Sequence, residues 1–223
     1  NLLSLLLDAF PKASHQALRF VVVPYCGTNW NKPCAEPITK FDCGFGVNSV
    51  SWSPCGRFIA LGFSGRTVKI RSFDSVTGQC KNITKHTRHT HDVFSVAWSP
   101  CGQFLASGSR DETIQIWSFN SSTNQIKQVL TLKGHTHWVN CVAWSPCGRF
   151  LASASHDTTI RIWSFCTKTG QAKEVTKLRD HTSSPVCITW SPCGNYFAFG
   201  ADDNMVRICR FDSVTYEGKV IAV

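Results

Sequence analysis

The chain has 223 residues and 43% hydrophobic content, enough to bury a substantial core as one domain or one array of repeats. Only 17% of residues are charged, too few for a disordered acidic or basic tail. The formal charge of +9 admits an anionic partner, yet Lys and Arg are spread from Lys12 to Lys219 with no long run of one sign.

The chain opens on the apolar stretch Asn1–Phe10, which lacks a basic flank, is interrupted by Asp8 and meets Pro11 at once. Residues 1–19 are therefore expected to form a lead with a short docking helix, and no stretch is long and apolar enough for a membrane span. In residues 20–42 two runs, Phe20–Tyr25 and Pro37–Phe41, read as strands.

From residue 43 onward the sequence copies itself. Trp-Ser-Pro-Cys-Gly starts at Trp52, Trp98, Trp144 and Trp190, a step of 46, and Ile-x-x-Phe starts at Ile70, Ile116, Ile162 and Ile208 with the same step. Two markers locked to one period define repeats at 43–88, 89–134, 135–180 and 181–223. In the third, Val139–Trp144, Phe150–Ser155 and Ile160–Phe165 read as strands, with a weaker fourth at Glu174–Leu178. Ser145-Pro146-Cys147-Gly148 has the residue preferences of a type I turn between the first two. Four antiparallel strands per unit describe a propeller blade, so the predicted fold class is an all-β propeller. Residues 20–42 then fall as half a preceding blade. The last unit is expected to stop at Ile221–Val223, where its fourth strand should begin. Four full repeats and a half blade fall short of a ring of about seven, within a general range of roughly four to eight. The array is thus expected to be a partial or open ring, completed by further blades of a longer chain or by self-association.

These residues resemble the WD40-repeat family from about Phe20 to the C terminus: Gly134-His135, the Trp-Ser-Pro-Cys-Gly hairpin, and Ile162-Trp163 in the place of the terminal Trp-Asp. The resemblance implies a buried network of His, Ser, Asp and Trp within each well-formed blade. His89, Ser107, Asp111 and Trp117 hold those positions in the second repeat, and His135, Ser153, Asp157 and Trp163 in the third. The fourth keeps His181 and Asp203 but has Phe199 and Cys209; the first has Cys43, Leu61, Gly65 and Arg71 and keeps none. First and fourth blades are therefore expected to be held by apolar packing alone. Ser118 and Ser164 replace the terminal Asp, so the Trp-Asp-x-Arg box of some ubiquitin-ligase receptors is missing.

The resemblance also implies docking on the face that carries the loops between second and third strands. Its exposed positions correspond to Asp92, Phe94, Arg110, Trp138, Asn140 and His156 in the two well-formed repeats, and to Asn48, Ser64, Ser184, Val186 and Asp202 in the others. Trp138, Phe94 and Arg110 are residue types that dominate binding hot spots, and the competing reading packs Trp138 between blades. Arg110 set against Asp92 and Asp202 makes this face mixed in charge. That favours a protein or peptide partner over nucleic acid, with an RNA- or DNA-associated scaffold using a basic rim as the alternative.

Other chemistry is weaker. His86, His89, His91 and Asp92 have spacing suited to Zn²⁺, but His89 belongs to the repeat and His135-Thr136-His137 copies the pattern, so no metal and no cofactor is expected. Ser, His and Asp co-occur as repeat residues, not as a nucleophile triad, and no phosphate loop is present, so no enzyme is expected. The twelve cysteines include no C-x-x-C pair and read as reduced, small apolar residues of a cytoplasmic protein, with the nucleus as the alternative.

Overall fold

The hairpin motif closes the same way in every repeat. The Gly148 N–H donates to the Ser145 carbonyl at 2.9 Å, and Gly148 takes a φ of 68°, a left-handed conformation that glycine adopts at no steric cost. The Ser145 hydroxyl oxygen then accepts the Phe150 N–H at 3.1 Å, tying the turn to the second strand. Gly56, Gly102 and Gly194 repeat the conformation, with φ of 70°, 70° and 74°.

The structure, a computed structural model, describes residues 43–179 and 183–222. The lead, the half blade expected at 20–42, and His181 lie outside the described residues. The first sheet holds β1 (Val47–Trp52), β2 (Phe58–Phe63), β3 (Val68–Phe73) and β4 (Cys80–His86). The second holds β5 (Val93–Trp98), β6 (Phe104–Ser109), β7 (Ile114–Asn120) and β8 (Gln125–Leu132). The third holds β9 (Val139–Trp144), β10 (Phe150–Ser155), β11 (Ile160–Cys166) and β12 (Gln171–Leu178). The fourth holds β13 (Pro185–Trp190), β14 (Tyr196–Ala201), β15 (Val206–Phe211) and β16 (Gly218–Ala222). Each is a separate antiparallel sheet of four strands in chain order.

Two expectations need correction. The fourth sheet does contain its last strand: β16 pairs with β15 from Phe211↔Gly218 to Ile208↔Ala222. The strand starts early because the Asp212 side chain accepts the N–H groups of Val214 and Thr215 at 2.8 and 3.2 Å, closing a tight turn just before it. Nor are the outer blades held by apolar contacts alone, since Asp203 and Arg207 form an ion pair at 2.6 Å and Asn48 donates to the Val93 carbonyl at 3.0 Å.

Neighbouring sheets pack face to face in chain order, and among the described residues the four do not close into a ring. Each junction buries apolar side chains of two sheets, as when Phe104, Ile114 and Ile116 meet Val142, Trp144 and Phe165. Close approach demands a small residue on the facing strand: a Cβ on Gly108 would stand 2.7 Å from the Val139 side chain. Polar bonds stitch the same junctions. The Val96 and Val142 N–H groups donate to the Ser49 and Ser95 hydroxyls at 3.0 and 3.1 Å. The indoles of Trp144 and Trp190 donate to the Ala97 and Ala143 carbonyls at 3.1 and 3.2 Å. At the outer faces the pattern is uncovered: Trp52 is 39% exposed, whereas Trp98, Trp144 and Trp190 are 7–8% exposed.

Candidate functional surface

Within the second blade the buried polar residues form one chain. The Trp117 indole N–H donates to the Ser107 hydroxyl oxygen at 2.9 Å, and that hydroxyl lies 2.8 Å from His89 Nε2. His89 Nδ1 lies 2.8 Å from Asp111 Oδ2. The third blade repeats this through Trp163, Ser153, His135 and Asp157 at 2.9, 2.8 and 2.8 Å. The bonding order fixes the tautomer: Ser donates to a neutral Nε2, and Nδ1–H donates to the carboxylate. Burial resists ionisation of Asp111, but the His89 ring, the Thr113 hydroxyl and the Thr90 N–H outweigh it and hold the carboxyl well below the usual range. Asp157 is held down in the same manner by His135, Thr159 and Thr136. Burial lowers His135 against the opposing pull of Asp157, so the imidazole stays neutral. A nucleophilic serine is not available here, since Ser107 and Ser153 are fully buried.

The fourth blade differs as its sequence requires. Phe199 and Cys209 are buried in apolar contact, and Asp203 turns to Arg207. A fastening that the sequence did not reveal lies at the second residue of the third strand in the first three sheets. Lys69 Nζ donates to the Cys43 carbonyl at 3.1 Å, Gln115 Nε2 to the Arg88 carbonyl at 3.0 Å, and Arg161 Nη2 to the Gly134 carbonyl at 2.6 Å. Arg161 also pairs with Glu174. The long side chains at that repeat position were the available signal; their acceptors, 26 or 27 residues away, were not legible.

The residues proposed for docking divide sharply. Asn140 and Ser184 are buried, contrary to the exposed role expected of them. Asn140 Nδ2 donates to the Pro185 carbonyl at 3.0 Å, as Asn48 does to Val93, so these amides tie one blade to the next. The Ser184 hydroxyl lies 3.4 Å from the His156 carbonyl. Asn48 and Val186 are half-buried, while Ser64, Arg110, His156 and Asp202 are exposed. The exposed turn residues are pinned through the main chain: Ser64 N–H to the Gly46 carbonyl, Arg110 N–H to Asp92, His156 N–H to Trp138 and Asp202 N–H to Ser184, at 3.0, 2.9, 2.8 and 3.1 Å.

One group converges across the second and third blades. Half-buried Trp138 stacks on His156 at 5.4 Å between ring centroids, and the Arg110 guanidinium lies 4.5 Å over its indole. Phe94 meets the same indole edge-on at 6.0 Å. His137, not singled out from the sequence, adds a ring 4.5 Å from His156 and 4.8 Å from Trp138. Beside them an open hollow is lined by Thr90, His91, Arg110, Asp111, Glu112 and Trp138. The competing interpretation of Trp138 holds in part, since the ring bridges two blades while keeping an accessible surface.

The cluster at His86, His89, His91 and Asp92 does not assemble as a metal site. His86 faces the Trp117 ring and His89 is turned into the network. Among the described residues no group of three or more His, Cys, Asp or Glu is placed to hold a metal, and no helix is long and apolar enough to cross a membrane. No disulfide joins the described cysteines; Cys141 and Cys209 are buried, and the four hairpin cysteines Cys55, Cys101, Cys147 and Cys193 are exposed, because the turn points that side chain outward.

Comparison of the chain with curated protein sequences finds no match. The family model for the WD domain, G-beta repeat, matches at residues 35–72, 80–118, 126–164 and 172–209. Each later match takes the fourth strand of one sheet with three strands of the next, and the first match begins well after Phe20, where the sequence resemblance was expected to start. WD40 repeats generally serve as protein-interaction scaffolds and are typically non-enzymatic. With four consecutive matches that span most of its length and four four-stranded blades in register, this chain belongs to the WD40-repeat family.

Proposed function

We propose that the chain is a protein-interaction scaffold that docks a peptide or protein segment on the surface centred on Trp138. The observation that carries this reading is the convergence of Arg110, Phe94 and His156 on one partly exposed indole. A cation and three aromatic rings, carried on strand β5 and on loops whose Arg110 and His156 N–H groups are bonded to main-chain carbonyls, form a pre-ordered patch, and pre-ordering lowers the entropic cost of binding. Mixed charge around it, Arg110 against Asp92 and Glu112, suits a peptide more than a polyanionic backbone.

A displayed random-peptide library selected on the folded chain tests the proposal. Enriched peptides should lose roughly thirty-fold or more in affinity for Trp138→Ala, the scale of a hot-spot truncation. They should be indifferent to Gln103→Ala, at the opposite end of the sheets. Binding that ignores Trp138 would refute this surface, and binding to single-stranded nucleic acid that weakens steeply with salt would favour the basic-rim alternative.

A further inference from the structure

The three junctions between sheets are built to one pattern, and each has a giving and a receiving side. The side a sheet turns to the next carries Phe58, Ala60, Val68 and Ile70 in the first sheet, and the third repeats it with Phe150, Ala152, Ile160 and Ile162. The receiving side sets a valine or isoleucine and a tryptophan against them: Val96 and Trp98, Val142 and Trp144, Ile188 and Trp190. Two further features fix the spacing. Hydroxyls of the giving sheet accept main-chain N–H groups of the receiving one, as when the Ser51 hydroxyl accepts from Trp98 at 3.2 Å. A glycine on the giving sheet lets the receiving valine close in, since a Cβ on Gly62 would stand 3.0 Å from the Val93 side chain.

Both sides persist at the ends of the array, where no neighbouring sheet is present among the described residues. The fourth sheet keeps the giving side: Tyr196, Ala198, Val206 and Ile208 stand at the places of Phe58, Ala60, Val68 and Ile70. Val206 is 64% and Ile208 40% exposed, whereas Val68 and Ile70 are buried. Exposed Thr189 holds the place of Ser51, and Gly200 that of Gly62. Among the described residues a Cβ on Gly200 would meet only the Cys187 sulfur of its own sheet, so the space the glycine leaves is unused there. The first sheet keeps the receiving side. Val47, Val50 and Trp52 stand at the places of Val93, Val96 and Trp98, and all three are exposed. Each end therefore matches the other end and does not match itself. Uncovered apolar faces of this kind are rare on soluble monomers.

We propose that these faces bind a second copy of this chain, with the first sheet of each copy receiving the fourth sheet of the other. Val206 and Ile208 then pack against Val50 and Trp52, the Trp52 main-chain N–H donates to the Thr189 hydroxyl, and Val47 closes over Gly200. Both contacts continue the register already used at the three internal junctions. Two copies of four sheets make eight blades, which falls within the general range of roughly four to eight for a closed propeller. Head-to-tail contacts that close stop at a fixed size, whereas those that do not close grow into filaments.

The test is light scattering and native mass spectrometry on the full chain and on Trp52→Glu and Ile208→Glu, with circular dichroism to establish that both variants keep their strands. The unaltered chain should stop at a dimer as its concentration rises. Each variant alone should be monomeric at concentrations where the unaltered chain is dimeric, because every junction would then bury an unpaired carboxylate. An equal mixture of the two, one of them isotopically labelled, should recover a heterodimer, since the intact fourth sheet of one copy meets the intact first sheet of the other. Either variant dimerising alone as well as the unaltered chain would overturn the proposal, as would a mixture that stays monomeric. A monomeric unaltered chain, or growth beyond the dimer without limit, would overturn it too.

Discussion

Replacing Asp157 by Ala removes the terminus of the third blade's polar chain, and the structure sets the size of the loss. The carboxylate accepts four bonds: from His135 Nδ1 at 2.8 Å, the Thr136 N–H at 3.1 Å, the Thr159 N–H at 2.9 Å and the Thr159 hydroxyl at 2.6 Å. Thr136 is exposed and can turn to water. His135 is buried, and its Nδ1–H would lose its charged acceptor and keep only the Thr159 hydroxyl, 3.3 Å away. Loss of a charged hydrogen-bond partner at a buried donor costs about 1–3 kcal/mol. For a chain of this size that corresponds to a fall in Tm of roughly 2–12 °C. Asp203→Ala provides the internal comparison. Its partner Arg207 is solvent-accessible and can rehydrate, so the loss should be clearly smaller. Thermal denaturation followed by far-ultraviolet circular dichroism measures both variants. Equal losses would show that the second and third blades are not distinguished by their buried chain, and the account of the network would fail.

Acid should destabilise the fold in two stages, read from denaturant midpoints across pH. His135 is lowered in the folded chain, so the unfolded state binds the extra proton first and stability declines as pH falls below about 6.5. Asp111 and Asp157 are lowered too, so their contribution holds above the unfolded carboxylate range and is lost as pH falls below about 4; a flat profile from pH 7 to 4 would contradict the first stage. Asn140→Ala should cost about 1–2 kcal/mol by orphaning the Pro185 carbonyl at a buried junction, and an unchanged Tm would return Asn140 to the surface role expected from sequence. Thr158 holds a left-handed φ of 62° where the fourth blade has Asn204 at 64°, so Thr158→Asn should raise stability by about 1 kcal/mol in the same denaturation assay. The exposed Trp52 at one outer face and Val206 and Ile208 at the other should make the isolated chain associate, and light scattering that finds only monomer would refute this.

The repeat made most of the fold legible. Val139–Trp144 and Phe150–Ser155 were placed to the residue because a turn of fixed composition separates two β-branched and aromatic runs. The fourth strands were not. Their alternation of exposed and half-buried positions carries little apolar signal, so β12 starts at Gln171, ahead of the expected Glu174, and β16 was missed altogether. At the surface, the positions expected to be exposed include Arg110 and His156, which are, but the sequence could not distinguish an exposed Asn from one turned inward. Asn140 looks like a docking residue until Pro185, 45 positions along, is seen to supply its acceptor.

The stabilising chain and the proposed docking patch share the same loops. Trp138 follows His135 by three residues, and His156 directly precedes Asp157. The His135–Asp157 bond therefore clamps together the two loop segments that carry the stacked indole and imidazole. The His89–Asp111 bond does the same one blade earlier, fixing the loop that delivers Arg110 over the indole. In the first blade Cys43 and Gly65 hold the corresponding positions, and no such clamp is available to Asn48 and Ser64. Loops that bind well must be ordered before the partner arrives, because ordering them on contact subtracts from affinity. A repeat array that loses its polar chain in the outer blades but keeps it in the inner two thus concentrates pre-ordered surface at one junction. That junction is where the aromatic and cationic side chains are found.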